Sequence, residues 1–307
     1  MKHVTVNFTE KTKCGFIAIV GRPNVGKSTL LNQLVGEKIS ITANKPQTTR
    51  HRILGIKTIA NKQAIFIDTP GIHKKQKRVI DKEMHKTARS SIHNVDAILF
   101  IIERLRWTSE DEVVLKLLKN INYPVFLVLN KVDMVKKKEQ LLPHIETISK
   151  KMCFTEIIPI SAKFNTQIEI LTNKIFSNLS ENPHYFPVKY ITDKDIRFRL
   201  AEIVREKLTR LLNKELPYAL TVHIEHMSKE GNQTVVHAII LVEKENQKQI
   251  TIGSNGEILK KIGTQARKDM NRLLDCRVHL LLWVKTKAGW SNNKKTLQNL
   301  GYMDLFK

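Results

Sequence analysis

Residues 21–28 read Gly21-Arg22-Pro23-Asn24-Val25-Gly26-Lys27-Ser28, and this stretch sets the frame for the whole chain. Its spacing, G-x-x-x-x-G-K-S, is that of a loop that wraps phosphate. Gly21 and Gly26 let the backbone turn so that N–H groups point inward at phosphate oxygens. Lys27 places a point charge near the outer phosphates, and Ser28 offers a hydroxyl to Mg2+. The flanks fit: 15–20 (GFIAIV) is a strand-length apolar run, and a helical pattern spans about 28–35, with Gly36 just past its end. A helix starting at this loop aims its positive dipole end at the same anion.

Working outward, apolar runs recur at 64–68 (AIFID), 97–102, 125–130 and 157–160. Helical patterns lie between them, near 77–91, 109–119, 138–152 and 167–179. Strands alternating with helices predict a mostly parallel sheet covered on both faces, with ligand beyond the carboxyl ends of the strands. Three such ends carry signals. After 125–130 comes Asn130-Lys131-Val132-Asp133. A carboxylate at Asp133 can accept from guanine N1–H and the 2-amino group, a donor pair that adenine lacks. Asn130 either hydrogen-bonds the base edge or ties its loop to the phosphate loop, and the Lys131 stem can lie over the ring. After 157–160 comes Ser161-Ala162-Lys163, where a backbone N–H can read guanine O6.

Asp68-Thr69-Pro70-Gly71 ends the AIFID strand. Asp68 would hold Mg2+ through water, and the Gly71 N–H would contact the γ-phosphate, making the next loop a sensor of hydrolysis. Upstream, Gln47-Thr48-Thr49-Arg50-His51 offers a threonine hydroxyl to the metal, with Thr49 favoured over Thr48. The polar stretch 38–52 reads as a switch loop. The expected metal set is thus Ser28, Thr49 and Asp68, and the expected catalytic set Lys27, Thr49 and Gly71. Ile72 follows Gly71 within the nucleotide-contacting loop, where many GTPases place a water-orienting glutamine. Ile72 cannot hydrogen-bond, so intrinsic hydrolysis is expected to be slow and to depend on a rearranged loop, a cation or a partner. His73, Lys74, Lys75, Lys77 and Arg78 form either a solvated loop or an RNA-backbone contact.

The 307 residues suit about two domains. No apolar run approaches the ~20 residues of a membrane span, and the first residues lack the apolar core of a secretory signal. Three scattered cysteines (Cys14, Cys153, Cys276) fit a reducing, cytosolic setting. The formal net charge of +23 points toward a polyanion partner, but the excess is spread along the whole chain and assigns it to neither half.

The alternating pattern breaks at 181–189 (ENPHYFPVK), which is read as the link between domains. A long amphipathic helix over about 193–213 follows, then strands at 218–226 and 234–241, a helix ending near 274 and a strand at 278–284. Ile252-Gly253-Ser254-Asn255-Gly256 contains G-x-x-G between a short segment read as extended (248–252) and a helix. In a KH module this loop lets the backbone approach single-stranded RNA. Candidate RNA contacts are Ile252, Gly253, Ser254, Gly256, Lys260, Lys261 and Arg267, with Lys248 and Lys268 nearby. Few aromatics argue against a stacking platform, and Trp283 and Trp290 read as packing residues.

With both halves in view, the chain resembles the Era family of bacterial GTPases from about Cys14 to Lys307. The resemblance is carried by GRPNVGKSTL (21–30), QTTRHRI (47–53), DTPG (68–71), NKVD (130–133), PISA (159–162), IGSNG (252–256), ARKDM (266–270) and GYMD (301–304). It implies an α/β fold: a P-loop GTPase domain, with a mostly parallel sheet between two helical layers, followed by a smaller α+β type II KH domain. The divisions expected are 13–181, a linker at 182–192, 193–290, and a tail at 291–307 packing on or near the KH domain. Implied cofactors are GTP/GDP and Mg2+. Implied partners are small-subunit ribosomal RNA at its 3′ end and the 30S subunit, in a monomeric cytoplasmic protein with possible peripheral association to the inner membrane. One position departs from the pattern: Asn255 stands where RNA-binding KH loops of this kind usually carry Lys or Arg. Two other readings are a constitutive RNA-binding module with a largely structural GTPase domain, and a peripheral membrane GTPase.

Overall fold

The computed structural model describes residues 11–45, 48–71, 78–213 and 216–302. In chain order the first half contains β1 (Lys13–Val20), α1 (Lys27–Val35), β2 (Ile53–Ile59), β3 (Lys62–Asp68), α2 (Val79–Ser90), β4 (Ala97–Glu103), α3 (Ser109–Leu118), β5 (Val125–Asn130), α4 (Leu141–Ser149), β6 (Glu156–Pro159) and α5 (Ile168–Ser177). The strands order as β2-β3-β1-β4-β5-β6. All neighbours run parallel except β2 against β3.

The central strands are apolar throughout because both faces are covered. Alternate residues of β1 show the division: Ile17 and Ile19 pack with Leu30 and Leu31 of α1 and Leu171 and Ile175 of α5. Ala18 and Val20 pack on the other face with Leu115 and Leu118 of α3 and Ile148 of α4. Each fully buried Ile, Leu or Val among them stabilises by about 1.5–3 kcal/mol. Local signals set the helix ends. Gly36 closes α1 at φ 88, its N–H donating to Asn32 O. Thr108 and Asp111 cap α3 reciprocally: the Thr108 N–H donates to Asp111 Oδ2 at 2.9 Å, and the Asp111 N–H to Thr108 Oγ1 at 3.3 Å.

Strand β2 was not expected; its residues begin just past the stretch 38–52 read as a switch loop and were assigned to no element. It forms a hairpin with β3 that turns at Ala60, φ 51. That conformation usually selects Gly or Asn, so the turn carried no hairpin signature. The helix expected over 138–152 is instead a short 3-10 turn, Lys138–Gln140, followed by α4. Pro143 lacks an N–H and therefore sits in the first turn of α4, where no donor is needed.

The second half contains α6 (Ile196–Leu211), β7 (Leu220–Glu230), β8 (Gln233–Val242), α7 (Glu245–Ile252), α8 (Glu257–Leu274), β9 (Arg277–Thr286) and α9 (Lys294–Asn299). Its sheet orders β7-β8-β9, with β7 and β8 antiparallel and β8 and β9 parallel. One face buries Val236, Ala238 and Ile240 against Leu200, Val204 and Leu208 of α6 and Ile262, Ala266 and Met270 of α8. The segment read as extended before G-x-x-G is helical, as α7. Gln247 explains the helix start, accepting the Glu243 and Lys244 N–H groups at 2.9 and 3.1 Å. The β-branched run Ile250-Thr251-Ile252 had argued the other way.

The connecting segment is hydrogen-bonded to the first sheet. The Ile56 N–H donates to Ile191 O at 2.9 Å, and the Leu54 N–H to Asp193 Oδ1 at 2.8 Å, so the linker covers the open edge of β2. At the other end of the chain, Trp290, Leu297 and Tyr302 pack with Ile80 and Met84 of α2. The same segment reaches the second sheet, since Trp290 Nε1 donates to Ala219 O at 3.3 Å and the Tyr302 and Thr221 hydroxyls lie 2.8 Å apart. Trp290 and Tyr302 therefore contact both α2 and the second sheet. No helix among the described residues is long and apolar enough to cross a membrane.

Candidate functional site

The carboxyl ends of β1, β3, β5 and the chain beyond β6 surround a cavity of about 930 Å³, within the ~300–1,000 Å³ usual for ligand sites. The phosphate loop forms its floor. Gly26, at φ 102, opens α1, and a Cβ there would fall 2.3 Å from Asn130 Nδ2. Only glycine fits both the conformation and the approach. Lys27 Nζ donates to Gly21 O at 3.1 Å and to Arg22 O at 3.0 Å. Burial pulls the Lys27 ammonium down to about 8, against the attraction of Asp68. A polyphosphate against Lys27 would restore its charge.

Three expected metal-set residues converge. Ser28 Oγ donates to Asp68 Oδ2 at 2.7 Å and lies 2.6 Å from Thr49 Oγ1, which reaches Asp68 Oδ2 at 3.4 Å. Thr48 turns away and donates to Lys45 O at 2.6 Å, so of the two threonines it is Thr49 whose hydroxyl stands beside Ser28 and Asp68. Asp68 Oδ1 is buried without a hydrogen-bond partner. Burial raises the Asp68 carboxyl pKa, while Lys27 and the hydroxyls of Ser28, Ser40 and Thr49 oppose the rise. An orphaned carboxylate oxygen beside two hydroxyls suits a hard divalent cation completed by water and phosphate oxygens. No group of three or more His, Cys, Asp or Glu among the described residues could hold a metal, so such a cation relies on this mixed set.

The base-reading residues also assemble. Asp133 Oδ1 accepts from Ser161 Oγ at 2.5 Å. Asn130 resolves to the second of its two readings: Nδ2 donates to Val25 O at 2.8 Å, and Oδ1 accepts the Ala162 N–H at 3.0 Å. It ties three loops together. The Ala162 N–H is thus engaged, and the Ser161 N–H donates to Thr166 O at 3.2 Å, so reading O6 through either N–H requires that bond to be shared or moved. Lys131 Nζ donates to Asn24 O at 2.7 Å, linking the base loop to the phosphate loop. Val132 is buried, its N–H on Ile160 O.

Two features of the site were not read from the sequence. The Arg22 side chain does not face the cavity. It is buried, with Nε on Asp111 Oδ2 and Nη2 on Glu103 Oε2, both at 3.2 Å, and braces the loop from behind. Ser40 was not expected in the metal set, yet its hydroxyl donates to Asp68 Oδ2 at 3.1 Å. Only its place in the polar stretch hinted at it. Pro23 lines the cavity together with Gly71. Thr69 Oγ1 pins its own loop to Ile19 O at 3.1 Å, and Pro70 is buried. Ile72, His73, Lys74, Lys75 and Lys77 lie outside the described residues.

In the second domain, Gly253 (φ 76), Asn255 (φ 50) and Gly256 (φ 77) make a tight turn between α7 and α8. A Cβ on Gly253 would come within 2.7 Å of Ile258. Ile252 and Gly253 are half-buried; Ser254, Lys260, Lys261 and Arg267 are exposed. Lys260 ends the first turn of α8 and Lys261 begins the second, close to G-x-x-G. Arg267 stands about 10 Å further along, on the side of α8 that carries Lys260 and about 100° around from the buried stripe of Ile262, Ala266 and Met270. Lys248 is paired with Glu245 at 3.2 Å. Trp290 packs as expected, at 0% exposure, but Trp283 is 56% exposed on β9 and is not a packing residue.

Comparison with known proteins agrees with this arrangement. A family described as 50S ribosome-binding GTPase matches residues 16–131, and a KH domain matches residues 215–291. The chain is 52% identical to GTPase Era of Glaesserella parasuis serovar 5 over 296 residues, 96% of this chain and 99% of that one. It is 48% identical to GTPase Era of Pseudomonas syringae pv. tomato over 300 residues, 98% of this chain and 100% of that one. A crystal structure of an Aquifex aeolicus Era variant bound to GDP·AlF4− superposes with a TM-score of 0.92 at 40% identity, covering 95% of this chain and 100% of that one. An Era structure in complex with MgGDPNP and nucleotides 1506–1542 of 16S ribosomal RNA gives the same TM-score, identity and coverage.

Proposed function

Because this chain belongs to the Era family of GTPases, we propose that it is a GTP-hydrolysing switch that binds the 3′ end of small-subunit ribosomal RNA and acts in 30S subunit maturation. The observation that carries this reading is the convergence of Ser28, Thr49 and Asp68 beside Lys27, with Asp68 Oδ1 unpartnered, in a chain that also carries a G-x-x-G turn. The relative crystallised with MgGDPNP and 16S RNA supports both halves of the proposal.

Bound Mg2+ would neutralise charge on the outer phosphates. This chain's residues do the rest. Lys27, Ser28 and the backbone of 21–28 would hold phosphate, Gly71 would follow the γ-phosphate, Ser28, Thr49 and Asp68 would hold the metal, and Asp133 would select guanine. We take 13–181 as the GTPase domain, 182–192 as the linker, 193–290 as the KH domain and 291–307 as the tail. Ile252, Gly253, Ser254 and Gly256 approach the RNA backbone, with Lys260, Lys261 and Arg267 as its cations. The protein is placed in the cytoplasm as a monomer, with peripheral association to the inner membrane face a secondary property.

Single-turnover GTP cleavage and binding of a 16S 3′-end oligonucleotide test the proposal together. Slow cleavage alone, and an RNA affinity that differs between GDP and a GTP analogue by ~1–3 kcal/mol, are expected. Equal RNA affinity in both states would favour a constitutive RNA-binding module.

A further inference from the structure

The wall of the nucleotide cavity is not built by the GTPase domain alone. Thr209 and Arg210, near the end of α6, stand in it beside residues 41–45. Arg210 grips Thr42 with both arms of its guanidinium: Nε and Nη2 donate to the Thr42 carbonyl at 3.1 and 2.9 Å, and Nη2 reaches Thr42 Oγ1 at 3.2 Å. Glu206, one turn earlier, takes the other side of the same residue, accepting the Thr42 N–H at 3.1 Å and its hydroxyl at 3.4 Å. The Glu206 carboxylate has no solvent exposure and is held by Lys38 at 2.6 Å and by Arg210 at 2.8 Å. Arg205 adds a third hold, donating to the Thr48 carbonyl at 2.5 Å while its Nε and Nη2 bind Glu202 at 2.6 and 2.7 Å.

These contacts have a direction. Thr48 adjoins Thr49 of the metal set, and Thr42 lies on the cavity wall, so α6 fixes the switch segment at two points on the nucleotide side. Arg210 Nη1 has no hydrogen bond among the described residues, and the side chain is 47% exposed. A free donor of positive charge in a cavity wall suits a phosphate oxygen or a ribose hydroxyl.

We propose that Arg210 is a positioning residue for the guanine nucleotide, supplied by the RNA-binding domain: with Glu206 it holds Thr42 closed over the cavity, so the nucleotide leaves only when α6 and the switch segment part. This rests on the nucleotide reading of the cavity. By linkage, RNA that draws on α6 must change nucleotide affinity, and nucleotide must change RNA affinity by the same equilibrium factor; where α6 gates the exit, that change appears in the release rate.

The test is release of a fluorescent GDP from the full-length protein, measured by stopped flow with and without a 16S 3′-end oligonucleotide. Arg210→Gln is expected to speed release about tenfold, about 1.4 kcal/mol. Arg210→Lys, which keeps the charge but loses the paired grip on Thr42, is expected to recover part of the difference. The effect of RNA on release should shrink toward none in Arg210→Gln, a readout that a merely structural role would not move. Glu206→Gln, which leaves Arg210 in place, should change release in the same direction. Release rates and RNA dependence equal to wild type in both Gln variants overturn the inference while leaving the nucleotide reading intact. Failure of the wild-type protein to hold GDP overturns both.

Discussion

Replacing Asp133 with asparagine isolates the chemistry by which the base is chosen. The carboxylate lines the cavity, and its Oδ1 accepts the Ser161 hydroxyl at 2.5 Å. That hydroxyl can donate equally well to an amide carbonyl, so the substituted side chain keeps its place. What changes is the outward atom, from an anionic acceptor to an NH2 donor that faces the N1–H and 2-amino donors of guanine. Two hydrogen bonds to a charged group, at about 1.5–3 kcal/mol each, amount to about 3–6 kcal/mol, or about 10²–10⁴ in affinity. Xanthine carries a 2-oxo group where guanine carries the amine, so an amide donor should recover much of that loss. Competition between GDP and XDP for a fluorescent nucleotide on both proteins measures the exchange. If Asp133→Asn retained GDP to within about threefold of wild type, Asp133 would not be the base reader.

Nucleotide affinity should depend on pH above about 8, the value to which burial has lowered Lys27. Below it, Lys27 is charged in both free and bound protein and contributes no pH dependence. Above it, binding a polyphosphate must first protonate the amine, so affinity should fall by up to about tenfold per pH unit, and titrations from pH 7 to 9.5 check this. In the empty protein the sign is opposite: between about 8 and 10.5 the unfolded chain binds the extra proton, so the Lys27 contribution to stability rises with pH. Trp290→Ala should cost about 3–5 kcal/mol by opening a cavity among Ile80, Met84 and Leu297, read as a lower unfolding temperature by calorimetry. Asn255→Lys should strengthen RNA binding and steepen its salt dependence by about 0.7 in log–log slope for one added phosphate contact. Because residue 255 sits at φ 50, the substitution should also cost about 1 kcal/mol of folding stability through left-handed backbone strain.

Most of the nucleotide site was legible because its information is local. A glycine pair, a lysine and a hydroxyl at fixed spacing announce their geometry wherever a strand precedes and a helix follows, and Asp68, Asn130 and Asp133 occupy the ends of runs whose burial dictates strand. The failures share a cause as well. Strand β2 is held by pairing to β3 and by the linker across its other edge, and neither the Ala60 turn nor Gly55 marks it locally. Helix α7 depends on Gln247 reaching back to two N–H groups. Arg22 turns away because Glu103 and Asp111, far along the chain, neutralise it. The hold of Glu206 and Arg210 on Thr42 joins residues 164–168 positions apart, and no periodicity or motif encodes it.

The wedge formed by Trp290, Leu297 and Tyr302 against α2 has a temporal side. These side chains are synthesised after both sheets they join, so whatever packing either half reaches during synthesis is reached while the junction between them is still open. The nascent protein therefore passes through a stage in which α2 shows Ile80 and Met84 to water.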